Sequence, residues 1–227
     1  MASSSARGRN PSTGCCRNDA MTGYRTVERE SRIELVERKS RFIGWCFPIA
    51  SEEEALAHLS RIRKQHHDAS HNCWAYRLTP NGSVARYSDD GEPGGTAGMP
   101  ILNAITGREL TDVLVIVTRY FGGILLGAGG LTRTYGKSAG MALEEAGLIQ
   151  MLPGVALTIV VSYAMYGKIG ALLAHPGLRV QDTRFEADVS IEGTLRLEEY
   201  PGFERDLADA TDGTAQLMRG KELLFPF

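Results

Sequence analysis

The chain has 227 residues, a formal net charge of −2 and a hydrophobic content of 43%, which is ordinary for a globular protein. No apolar run approaches the ~20 residues that a membrane-spanning helix needs. Residues 1–20 lack the apolar stretch of a secretory signal, so we expect a disordered tail or a mis-assigned start there. Four cysteines without a C-x-x-C spacing favour a reducing cytoplasm over a disulfide scaffold.

Charge is unevenly distributed along the chain. Residues 155–227 carry seven basic and eleven acidic side chains, whereas residues 21–154 are balanced. An acidic segment is unsuited to wrapping a polyphosphate backbone. Any contact with nucleic acid is therefore expected from a local basic patch in the first part of the chain.

The first predicted elements are a strand, a helix and a hairpin. SRFIGWCFPI (40–49) is an aromatic-rich strand. Ser51 and Glu54 form a capping box before apolar residues at helical spacing, which predicts a helix. The Asn-Gly pair at 81–82 is a tight-turn signal, so residues 72–88 are predicted to form a hairpin.

A buried strand follows an irregular stretch. SDDGEPGGTAGMP (88–100) is too rich in glycine and proline for regular structure, and a short helix is predicted from Pro100. DVLVIVTRYF (112–121) is almost wholly apolar, which is typical of a strand buried on both faces. A helix that ends near Ala146, with Gly147 as its C-cap, completes a domain predicted over residues 21–150.

The second part, residues 151–227, follows a short linker predicted at 151–154. Its predicted order is β-α-β-β-α-β, the split βαβ pattern of a ferredoxin-like domain. The strands are predicted at 155–163, 178–185, 187–197 and 214–225, and the helices at 166–177 and 201–210.

The segment RYFGGILLGAGGLTRTYGKSAG (119–140) imitates a nucleotide-binding P-loop. It runs from the buried strand through a glycine-rich loop to a Gly-Lys-Ser tripeptide at 136–138. The Walker spacing requires a glycine where Leu131 stands. An apolar stripe that starts at Leu131 also places the tripeptide inside a helix that is already running by Thr134. The sequence therefore predicts no nucleotide P-loop.

A simpler anion site remains after the P-loop is excluded. The first N–H groups of a helix are free, and together with the helix dipole they favour an anion. Three cations stand near this point, one at the end of the strand and two in the first turns of the helix. The alternative is that the glycines only allow close packing and the cations are solvated. The predicted anion- or RNA-binding residues are Arg119, Gly122, Gly123, Gly129, Gly130, Arg133 and Lys137.

Three carboxylates in four residues, Asp89, Asp90 and Glu92, form the strongest pattern for catalysis. Carboxylate oxygens are ligands of Mg²⁺, but Asp-Asp-Gly is also common turn chemistry. We favour the structural interpretation and predict no metal or cofactor. His71 precedes a strand close to this turn and is predicted to pair with a carboxylate, either to orient it as a base or to fix the loop.

Three long motifs give a family resemblance. HNCWAYRL (71–78), YSDDGEPGGTAGMPIL (87–102) and VIVTRYFGGILLGAGGLTRTYG (115–136) resemble the signatures of the IMPACT family, in its bacterial YigZ-like branch. KSRFIG (39–44) also matches, and the resemblance covers about residues 24–147. The motifs include His71, Asp89, Asp90 and Glu92.

The resemblance implies an α+β fold with two domains. The first is expected to be like the second domain of ribosomal protein S5, and the ferredoxin-like second domain like a late domain of elongation factor G. Eukaryotic members act in translational control by competing for a protein activator of a stress kinase. They use an extra N-terminal domain that is not expected here, so that partner is not transferred. RNA or ribosome binding is implied for the bacterial branch by analogy of fold.

Two hypotheses of function follow. The favoured one is a non-enzymatic, translation-associated regulator that grips RNA phosphate with Arg119, Arg133 and Lys137, and whose partner is RNA, the ribosome or a protein of the translation machinery. The alternative is a Mg²⁺-dependent enzyme that acts on a phosphorylated or nucleotide substrate and holds its metal through the three carboxylates of residues 89–92. No membrane partner is expected under either hypothesis.

Overall fold

A computed structural model describes residues 22–78 and 83–227. The predicted tail 1–20 and the Asn-Gly turn at 81–82 lie outside these residues. The elements of the first part are β1 (Tyr24–Val27), β2 (Ser31–Glu37), β3 (Ser40–Pro48), α1 (Glu52–Gln65), β4 (His71–Leu78), β5 (Val84–Ser88), α2 (Gly98–Thr106), β6 (Val113–Tyr120) and α3 (Ala128–Glu145). Those of the second part are β7 (Leu148–Val161), α4 (Tyr163–Tyr166), α5 (Gly170–Leu173), β8 (Leu178–Phe185), β9 (Val189–Arg196), a 3-10 turn at Leu197–Glu199, α6 (Tyr200–Ala210) and β10 (Gln216–Pro226).

The first sheet is antiparallel, with strand order β2-β3-β6-β4-β5. Its central strand β6 is buried on both faces, as its apolar run predicts. Val115 and Val117 pack in the core that includes residues of α2 and α3, while Leu114 and Ile116 pack in the core that includes residues of α1. Tyr76 also belongs to the α1 core.

The second sheet has the strand order β10-β7-β9-β8, and every pair is antiparallel. With a helical crossover after β7 and another after β9, this is the predicted ferredoxin-like topology. The predicted helix at 166–177 is instead split into the single turns α4 and α5. Gly167 interrupts it, because glycine lowers helix propensity by about 1 kcal/mol.

Strand β7 corrects the predicted linker at 151–154. It runs without interruption from Leu148 to Val161 because β10 and β1 pair with its first half. Met151 lies opposite Tyr24 in β1 and Pro226 in β10. The predicted domain boundary between residues 150 and 151 falls inside this strand and stays a prediction, while the α+β class with two domains is confirmed.

Helix α3 begins at Ala128 and continues to Glu145. The Gly-Lys-Ser tripeptide at 136–138 therefore lies in its middle, as predicted, and Gly129 and Gly130 lie in its first turn. Gly147 has the positive φ of 73° that a helix C-terminus favours. Among the described helices, none is long and apolar enough to cross a membrane.

Candidate functional site

Two cavities flank the loop that joins β6 to α3. The outer cleft, of ≈ 270 Å³, is lined by residues that include Glu37, Arg38, Gly130, Arg133, Thr134 and Lys137. The inner cavity, of ≈ 400 Å³, is lined by residues that include His71, Glu92, Arg119, Phe121, Leu125 and Leu131. Leu126 lines both and separates them.

Arg119 is buried, and this corrects the prediction that it binds the phosphate of an RNA ligand. Only 5% of the residue is exposed, and its Nη1 donates to Glu92 Oε1 at 2.6 Å. Tyr135 donates its hydroxyl to the same oxygen at 2.7 Å. Burial, together with Cys73 and Glu92 nearby, raises the pKa of Tyr135, so this residue remains a hydrogen-bond donor at neutral pH. The positive charge of the Arg119 guanidinium is therefore neutralised by Glu92 inside the protein.

The glycines of the loop serve different purposes. The Gly122 N–H donates to Ser40 Oγ at 3.1 Å, and a Cβ at Gly122 would lie 2.1 Å from the carbonyl carbon of Lys39. Gly122 therefore permits a close backbone approach. Its amide is already bonded to Ser40, so the prediction that Gly122 binds an anion is not supported. Gly123 has a φ of 81° and open space around it, so it is required by backbone conformation alone. Its contact with an anion stays a prediction.

Asp89 holds the start of α2. Its Oδ1 accepts from the N–H groups of Ala97 at 3.0 Å and Gly98 at 2.8 Å, and its Oδ2 accepts from Gly95 N at 2.9 Å. Burial alone would raise the pKa of Asp89, but the three backbone hydrogen bonds outweigh it and the pKa is lowered. The ionised carboxylate is thus a structural cap.

The other two carboxylates are also engaged by protein donors. Asp90 accepts from Arg63 Nη2 and from the backbone N–H of Asn72, both at 2.7 Å, and Glu92 binds Arg119. In the described part of the chain, no group of three or more His, Cys, Asp or Glu side chains is arranged to hold a metal ion. The arrangement favours the structural interpretation over a Mg²⁺ site.

His71 and Cys73 attach β4 to this turn. His71 Nδ1 lies 2.9 Å from the carbonyl oxygen of Asp90, and its Nε2 lies 3.8 Å from Glu92 Oε1. His71 therefore bonds the backbone of the turn, and its predicted pairing with a carboxylate stays a prediction. Cys73 donates its thiol to the Asp89 carbonyl oxygen, and burial raises its pKa to about 12. A thiol of such high pKa is a poor nucleophile at neutral pH.

The outer cleft carries the exposed cations. Arg133 and Lys137 stand one turn apart on α3, both are exposed, and neither forms an ion pair with another described residue. Arg38, from the β2–β3 turn, extends over the cleft and donates to Leu125 O at 3.3 Å. The helix N-cap Gly127 supplies no side-chain hydrogen bond, and Gly127 and Ala128 line the inner cavity.

Sequence analysis missed Arg38. Its signal was a basic pair in the short turn between two strand patterns, but nothing local places that turn against α3. The pairing of β2 with β3, and the packing of both strands on α3, bring it there.

Comparison with known proteins agrees with this geometry. The Impact N-terminal domain family matches residues 38–143, which contain the lining of the inner cavity and that of the outer cleft except Leu35 and Glu37, and a domain of unknown function, DUF1949, matches residues 159–214. The chain is 36% identical over 198 residues to the IMPACT family member YvyE of Bacillus subtilis, covering 87% of this chain and 91% of the relative. It is 33% identical to the IMPACT family member YigZ of Escherichia coli, covering 84% and 95%. The crystal structure of a hypothetical protein, 32% identical, superposes with a TM-score of 0.56 and covers 87% of this chain and 97% of its own. The chain therefore belongs to the IMPACT family and is a YigZ-like member of it.

Proposed function

We propose that this protein is a non-enzymatic, translation-associated factor of the cytoplasm that binds the phosphate backbone of single-stranded RNA in the outer cleft. The observation that carries the proposal is the convergence of Arg38, Arg133 and Lys137 on one exposed cleft along α3. One carboxylate, Glu37, lines the same cleft, so cations predominate there.

The exposed cations of this cleft support the binding of a polyanion. Exposed lysine and arginine side chains bind phosphate largely by releasing condensed counterions, which requires no buried interface. Such open, cationic contacts suit a flexible phosphate chain better than a single small molecule held in a closed pocket.

Membership of the IMPACT family supports the link to translation. Eukaryotic members are translational regulators by the family resemblance, and an RNA-binding cleft would place this protein on ribosomal RNA or on an associated RNA. Binding to the translation machinery through a protein partner is the alternative route to the same role.

No specific observation on the described residues favours a Mg²⁺-dependent enzyme. Its proposed ligands Asp89, Asp90 and Glu92 are already bound to backbone amides, to Arg63 and to Arg119. To bind a metal they would have to release these partners, at the cost of leaving buried donors unsatisfied.

Titration of a fluorescent single-stranded RNA, followed by anisotropy, tests the proposal. Lys137→Ala is expected to weaken binding about fivefold at ~0.1 M salt, as the loss of one phosphate contact predicts. The matched control is Lys168→Ala, an exposed lysine of the second domain, which is expected to bind as the wild type does. The proposal fails if wild-type protein does not bind RNA at low salt, or if the two lysine variants lose affinity equally.

A further inference from the structure

The geometry points to a base-binding pocket: the inner cavity receives one unpaired nucleobase of an RNA strand whose phosphates lie in the outer cleft. This inference rests on the proposed RNA binding and identifies what the same site recognises.

The two cavities are neighbours and differ in chemistry. Leu126 lines both, so the proposal places a phosphate held by Arg133 and a base in the inner cavity on one short piece of strand. The inner cavity has a volume of ≈ 400 Å³ and is lined mainly by apolar side chains, as ligand pockets usually are. Its chemistry therefore suits a flat, weakly polar group.

An exposed aromatic ring stands at this cavity. Phe121 is 48% exposed although it follows directly after a buried strand, and Leu125 beside it is 79% exposed. Aromatic side chains beside a cationic groove are the usual platform on which proteins stack single-stranded bases. Such stacking tolerates any base, because each has a π-face.

The polar wall of the cavity has unused hydrogen-bonding capacity. Arg119 Nε is buried and has no hydrogen-bond partner, although Nη1 binds Glu92. Glu92 Oε1 receives both Arg119 and Tyr135. The Arg119 Nε–H is thus a donor that has no acceptor among the described residues.

A nucleobase edge offers an acceptor for this donor. Each base presents acceptors on its edges, and proteins that read single strands bond to these edges after splaying the base out of the stack. An apolar side chain of a protein partner would fill the same volume but would leave Arg119 Nε without a partner, which is costly in a buried site.

The test compares a uridine decamer with the same decamer that carries abasic residues throughout. Both have the same phosphate charge, so the outer cleft binds them alike. For wild-type protein we expect the abasic strand to bind about 5- to 100-fold more weakly, the loss that corresponds to one stacked base. Equal affinities would overturn the base pocket while leaving phosphate binding intact, and no binding of either strand would overturn both proposals.

Variants assign the effect to the cavity. Phe121→Ala is expected to reduce affinity for the uridine decamer towards that of the abasic strand, with no further loss for the abasic strand. Phe185→Ala is the matched control, because Phe185 is 57% exposed and lies in β8 of the second domain. A difference between the two strands that is as large in Phe121→Ala as in the wild type would contradict the assignment.

Discussion

The inner cavity and the outer cleft lie on either side of one glycine-rich loop, yet the cation of the first is buried and the cations of the second are exposed. Arg119 is 5% exposed and its charge is matched by Glu92. Arg133 and Lys137 are exposed and unpaired within the described chain. Proximity to a glycine loop therefore does not tell whether a cation is available to a ligand. Burial and the position of the nearest carboxylate decide it.

Removing the buried cation is expected to have the largest effect on stability. Arg119→Ala leaves Glu92 buried without its partner, and the loss of one member of such a pair costs about 3–5 kcal/mol. Both tryptophans, Trp45 and Trp74, lie in the first domain, so denaturant unfolding followed by tryptophan fluorescence reports this loss directly.

The double variant Arg119→Met with Glu92→Leu is the control for that experiment. Replacing both charges by apolar side chains removes the unpaired carboxylate, so most of the lost stability should return. If Arg119→Ala unfolds like the wild type, Arg119 is not structural and the contrast between the two cavities is wrong.

Asp89→Ala is expected to be the next most destabilising change, by about 2–3 kcal/mol, because three backbone N–H groups lose an ionised acceptor. The lowered pKa of Asp89 fixes the pH dependence. Its stabilisation is complete above the ordinary aspartate pKa and is lost as the pH falls through the lower value of the folded state. Asp89→Asn should therefore differ from the wild type at pH 7, and the difference should shrink as the pH falls below the ordinary aspartate pKa. A difference that does not change with pH would contradict the cap.

Two adjacent glycines are required for different reasons, Gly122 by close packing and Gly123 by its backbone conformation. Gly122→Ala places a Cβ against the backbone of Lys39 and is expected to cost about 1–3 kcal/mol. Gly123→Ala meets no atom but holds a positive φ, and we expect about 1 kcal/mol. The measurement is again denaturant unfolding, and a larger loss at Gly123 than at Gly122 would show that the loop does not pack on the β2–β3 turn.

Much of the fold was predictable because its signals are local. The apolar run of β6, the capping box of α1 and the split βαβ order of the second domain each follow from residues close in sequence. The same holds for the exclusion of a P-loop, since the helical stripe around Tyr135 places the Gly-Lys-Ser tripeptide inside α3.

The errors arose where distant segments decide the outcome. Pro153-Gly154 has the composition of a turn, but pairing with β10 holds it in β7. Arg119 was predicted to bind an anion because its ion-pair partner stands 27 residues earlier, in a separate loop. Arg38 was missed because only the order of the strands brings its turn to α3.

The salt dependence of RNA affinity tests the central claim most directly, since that claim assigns phosphate binding to the exposed cations alone. Lys137→Ala and Arg133→Ala should each leave stability within about 0.5 kcal/mol of the wild type, as surface changes usually do. For the double variant, the slope of log affinity against log salt should be shallower than that of the wild type by about 1.4, or ~0.7 for each lost phosphate contact. An unchanged slope would show that the phosphates bind elsewhere and would contradict the account.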